Sequence, residues 1–84
     1  MLTAAQMKAA RALVGMDQKA LAEPSGVSLP TIQRMEASNG VVRGVIDSLT
    51  KVMAALEASG IEFINEGAVS GGGGRGVRLR NRIG

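Results

Sequence analysis

The 84-residue chain has no cysteine, histidine, tryptophan or tyrosine, and a single phenylalanine. Without thiol or imidazole it forms no disulfide, offers no thiolate or imidazole metal ligand, and builds no Ser-His-Asp or Cys-His nucleophile system. Zinc sites and most covalent enzymes are therefore excluded, and no catalytic residue, metal or cofactor is expected. The acids and bases that remain are seven carboxylates, ten Lys or Arg side chains and some hydroxyls. The carboxylates stand singly along the chain, not paired as general acid-base chemistry requires. Apolar runs are short: none approaches the roughly 20 residues that span a bilayer. The N-terminus lacks a charged region followed by an apolar stretch. The expectation is a chain in the cytoplasm, away from membranes.

What is present is small and basic. The net charge is +3 with a pI near 10.2, which invites a polyanionic partner. The distribution says more than the total. Residues 1–44 carry five Lys or Arg against three Asp or Glu, residues 45–70 carry one against four, and residues 71–84 carry four Arg against none. Basic ends flank an acidic middle.

Hydrophobic spacing divides the chain into four helices and two strands. Thr3 with Gln6 forms a capping box at the head of a helix over about Ala4–Val14, closed near Gly15. Met7, Ala10 and Val14, with Leu13 beside them, make its apolar stripe, leaving Lys8 and Arg11 to face water. Asp17 caps a second helix through Gln18–Ala22, which Pro24 should end or distort because it lacks an N–H and disfavours helical geometry at the residue before it. Ser28 caps a third, with Leu29 and Pro30 in the first turn and Thr31 to about Ala37 beyond. Ile32 and Met35 point inward; Thr31, Gln33 and Arg34 point outward. Ser38-Asn39-Gly40 breaks that helix. A fourth runs from about Val45 to Ala58, with core stripe Val45, Ile46, Leu49, Val52, Met53 and Leu56, an Asp47–Lys51 pair, and Gly60 as its stop.

After Gly60 the period falls from 3.6 to 2. Ile61, Phe63 and Asn65 alternate with Glu62 and Ile64, and Val77 and Leu79 alternate with Arg78 and Arg80, as two half-buried strands do. Residues 66–75 between them are glycine-rich and read as a hairpin loop. Gly71, Gly73 and Gly76 match the dinucleotide-binding spacing only because a glycine run satisfies it trivially; no helix follows. The expected organisation is 1–60 as one unit and 61–84 as a C-terminal two-stranded β-hairpin. Because a small helical core and a lone hairpin are each marginal, Ile61, Phe63, Val77 and Leu79 should pack on the helices or pair with a second subunit.

Residues 17–37 carry the most specific pattern. Ala22 is small enough for close helix approach, Gly26 makes the turn, Val27 plugs the crevice, Ser28 caps the second helix and Ile32 anchors it, as a helix-turn-helix requires. Through QKALAEPSGVSLPTIQRMEAS at residues 18–38 the chain resembles the Xre/Cro family of phage-repressor-like transcriptional regulators. The resemblance covers about Thr3 to Gly60. It implies a mainly α, four- to five-helix lambda-repressor-like helix-turn-helix domain, with the recognition helix at about 28–37.

The resemblance also implies roles. Arg34, Thr31 and Gln33 would contact bases, with Arg34 bonding guanine O6 and N7 bidentately. Leu29 and Pro30 stand where relatives often place amides, so readout there would be apolar, for example against a thymine methyl. Gln18, Ser28, Asn39 and Arg43 would contact phosphates, Gln18 also bracing the recognition helix and the helix N-terminus adding its own N–H groups. Glu36 is expected to be structural, paired with a basic residue or a helix end. The implied function is a sequence-specific regulator, a repressor bound as a homodimer to a pseudo-palindromic double-stranded DNA operator in the nucleoid. The alternatives are a protein-binding module that sequesters another regulator as an antiactivator without touching DNA, or an antitoxin with a protein partner.

Overall fold

The computed structural model describes residues 2–38, 46–64 and 76–80. Within them lie helices α1 (Ala4–Val14), α2 (Gln18–Ser25), α3 (Leu29–Glu36) and α4 (Ile46–Ala58), followed by strands β1 (Ile61–Ile64) and β2 (Gly76–Leu79). The described chain is thus mainly helical with a C-terminal antiparallel hairpin. Val45, Asn65 and the expected loop at 66–75 lie outside the described residues.

The first three helices begin as their sequence dictates. Thr3 and Gln6 form the reciprocal capping box of α1, Asp17 Oδ1 accepts the Ala20 N–H at 2.7 Å, and Ser28 Oγ accepts the Thr31 N–H at 3.3 Å. Gly15 and Gly26 close α1 and α2 with φ of 72° and 70°, a left-handed conformation that costs glycine little and other residues more.

Pro24 does not end α2: the helix continues through it to Ser25. It stands in the last turn, where its missing N–H removes one hydrogen bond and little helix remains to be disrupted. Leu21 and Ser25 on either side of it are buried, and the Gly26 N–H still reaches the Ala22 carbonyl at 3.0 Å. Packing of this turn overrides the local preference of proline.

One core cluster serves helices and hairpin alike. Met7, Ala10, Leu21, Ile32, Met35, Val52, Leu56 and Ile61 are among its buried members, and Phe63 and Val77 pack against it. Burying a side chain of this size contributes about 1.5–3 kcal/mol, so Ile61 ties the hairpin energetically to the helices. Two stripe positions depart from expectation. Leu13 is 45% exposed and Ile46 77% exposed. Leu13 is one residue, hence about 100°, from the partly buried Val14, and Ile46 opens α4 a turn before Leu49, the first position of that helix to pack on the core. Ala55, outside the expected stripe, is buried instead.

The hairpin pairs Ile61 with Leu79, Glu62 with Arg78, Phe63 with Val77 and Ile64 with Gly76. Its first three expected packing residues turn to the core; Leu79 is 42% exposed. Two polar ties hold it. Gln6 Nε2 donates to the carbonyls of Ile64 at 3.3 Å and Gly76 at 3.0 Å, while its Oε1 accepts the Thr3 N–H at 2.9 Å. A single buried amide therefore caps α1 and pins the loop end of the hairpin. At the other end the Arg80 N–H donates to the Gly60 carbonyl at 2.6 Å, and Arg80 Nη2 to the Glu57 carbonyl at 3.1 Å, as a second donor beside the Gly60 N–H at the C-terminus of α4.

Candidate nucleic-acid interface

Helix α3 is the element on which the expected base-reading residues stand. Its inner face is fixed by Ile32 and Met35, both fully or nearly fully buried, and by Val27 in the turn before it. Ser28, Pro30, Gln33 and Arg34 are exposed, and Leu29 and Thr31 are half-buried. Of the expected phosphate-contacting residues, Asn39 and Arg43 lie outside the described residues.

Three of the expected residues meet along one edge of the helix. Ser28 Oγ donates to Thr31 Oγ1 at 2.8 Å, and Arg34 Nη2 donates to the same oxygen at 3.4 Å. The spacing of three residues places successive side chains one above the other on a helix surface. Gln33 shares the exposed side of α3 with them.

Gln18 lies apart from this edge. Its Nε2 donates to Glu36 Oε1 at 3.1 Å, bracing the start of α2 against the end of α3, and one amide N–H remains for another acceptor. The N-terminus of α2 is less open to an anion than expected, because the Asp17 carboxylate holds the Ala20 N–H and repels a second negative charge.

Glu36 is structural, as expected, and its partner is a residue assigned to solvent by periodicity. Arg11 Nε and Nη2 reach Glu36 Oε2 and Oε1, both at 2.7 Å, in the bidentate arrangement that makes such pairs strong. Arg11 Nη1 also donates to the Met16 carbonyl at 3.2 Å. Burial by itself would raise the Glu36 carboxyl, but the hydrogen bonds from Arg11 and Gln18, with the charges of Arg11 and Lys8, hold it below the usual carboxylate range. Arg11 is drawn inward because a buried carboxylate needs a full set of donors. Helical spacing places Arg11 off the stripe but is silent about a partner 25 residues away.

The charges sort accordingly. Of the arginines in the described residues, Arg11 is held by Glu36, Arg78 by Glu62 at 2.9 Å, and Arg80 by the Glu57 carbonyl. Arg34 and Arg80 enter no ion pair among the described residues; Arg80 is tied to main chain, whereas Arg34 stands exposed on α3 with its hydrogen bond going to Thr31 Oγ1 of the same helix. The structural roles of Arg78 and Arg80 were not legible in the alternation of the strand.

A half-open groove of about 290 Å³ lies between α1 and β2, lined by Thr3, Ala5, Gln6, Ala9, Gly76 and Val77. None of its walls belongs to α3. Among the described residues no group of acidic side chains is arranged to hold a metal ion, and no helix is long and apolar enough to cross a membrane. No family model matches the chain, and no curated protein matches it.

Proposed function

We propose that this chain is a sequence-specific regulator of transcription that binds double-stranded DNA through a helix-turn-helix formed by α2 and α3, with α3 in the major groove. The observation that carries the reading is Arg34: an exposed guanidinium on a rigidly seated helix, without a carboxylate partner among the described residues. Such a group is suited to guanine O6 and N7. Thr31 and Gln33 supply further polar contacts, Leu29 and Pro30 an apolar one, and Ser28 and Gln18 contacts to phosphate, with Asn39 and Arg43 continuing that set. Repression by a homodimer on a pseudo-palindromic operator is the simplest mode, because two copies of α3 about one DNA turn apart multiply both affinity and selectivity.

The test is a gel shift of the full chain on DNA upstream of its own gene, at two salt concentrations, with unrelated DNA as competitor. The reading expects a complex that resists competitor and weakens as salt rises. One observation favours a second reading, sequestration of another protein: exposed Pro30 and half-buried Leu29 begin α3 with an apolar pair that donates no hydrogen bond. Absence of binding even at low salt would favour that alternative.

A further inference from the structure

We propose that Thr31 is a positioning residue that sets the guanine preference of Arg34. The inference rests on the DNA-binding reading above and adds a residue that acts through another. An exposed arginine has several rotatable bonds, and ordering it at an interface opposes binding. Here Arg34 Nη2 is already directed to Thr31 Oγ1 at 3.4 Å, three residues toward the start of α3. That oxygen is itself held, because Ser28 Oγ donates to it at 2.8 Å while accepting the Thr31 backbone N–H at 3.3 Å. The chain of contacts runs from the helix cap through Thr31 to the guanidinium, so the direction of the fork is set by the helix backbone.

The chemistry left over suits a purine edge. A guanidinium has five N–H groups; one is directed to Thr31, and four remain to donate. Guanine presents two acceptors, O6 and N7, on its major-groove edge, whereas adenine offers N7 beside a donor. A fork held in one direction discriminates between these edges; a free one samples other acceptors, phosphates included. Thr31 is half-buried and Ser28 exposed, so Thr31 is the better-fixed of the two hydroxyls.

The probe is the duplex recovered when the full chain selects from a randomised double-stranded DNA pool. Affinity is measured for that duplex and for copies in which each guanine is replaced by adenine. Thr31→Val keeps the β-branched shape and removes the acceptor; Thr31→Ala checks the result with a smaller side chain. At the guanine read by Arg34, the guanine-over-adenine ratio should fall by about threefold to tenfold, the cost of ordering one long side chain. Thr31→Ser should restore it, and in an Arg34→Ala background Thr31→Val should no longer change it. A uniform loss of affinity for all duplexes, or an effect that persists without Arg34, would overturn the inference and leave the DNA-binding reading standing. Failure of the selection to enrich any sequence would overturn that reading itself, and the inference with it.

Discussion

Arg11 and Glu36 are joined by two hydrogen bonds of 2.7 Å, with side-chain exposures of 18% and 3%. The pair binds the last turn of α1 to the last residue of α3, and the Gln18 amide adds α2 to the same carboxylate. Three helices therefore meet at one ion, and the orientation of α3 depends on it.

Removing one partner leaves the other charge buried. Arg11→Ala should destabilise the fold by about 3 kcal/mol, at the lower end for a broken buried pair because Gln18 still bonds Glu36 and Arg11 is partly solvated. Replacing both by apolar residues of similar size, as in Arg11→Met with Glu36→Leu, should recover much of the loss. Urea denaturation of the two variants checks this; an equal loss in both would show that packing, not charge, is the source.

The same carboxylate makes stability depend on acid. Its folded pKa lies below the ordinary value, so the folded state gains from its ionisation above the unfolded pKa of about 4.3. That gain is lost as pH falls through the lower folded value. Glu62, lowered first by its hydrogen bond from Arg78 and then by the charge of that arginine, acts in the same direction at the surface. Thermal melts from pH 7 to pH 3 should show falling stability below about pH 4.3, with a shallower fall in Glu36→Gln.

Gln6 combines two tasks that substitution separates. Gln6→Ala loses the cap and both hairpin bonds and should cost about 2 kcal/mol. Gln6→Glu retains a capping-box side chain, but when ionised it faces two carbonyls with no proton to donate. Amide exchange should then accelerate in β1 and β2 at neutral pH while α1 stays protected. Equal acceleration in helix and strands would show that the two tasks are inseparable.

For Arg34→Ala the expected loss of specific affinity is about 1–3 kcal/mol with relaxed preference at one base position. Gln18→Ala should weaken binding to all sequences alike, since Gln18 braces α3 and lies at the start of α2. Anisotropy titrations on matched and mutated duplexes distinguish the two patterns; unchanged base preference in Arg34→Ala would remove Arg34 from the readout.

Much of the local structure follows from sequence alone because its causes are local. Thr3 with Gln6, Asp17 and Ser28 start helices through bonds to backbone three residues on, and Gly15 and Gly26 end them by adopting positive φ. The switch in period after Gly60 marks the strands. The outward set of α3 was legible for the same reason, since burial of Ile32 and Met35 leaves Gln33 and Arg34 no other side. Tertiary structure decided what local rules cannot reach. It let packing around Leu21 and Ser25 carry α2 past Pro24, drew Arg11 to a carboxylate 25 residues away, and gave Gln6 carbonyls 58 and 70 residues distant. It also committed Arg78 and Arg80, at the surface, to partners on neighbouring elements of the same chain. Periodicity reports which face of an element meets the core; only the packed chain brings a buried charge or amide to the distant group that satisfies it.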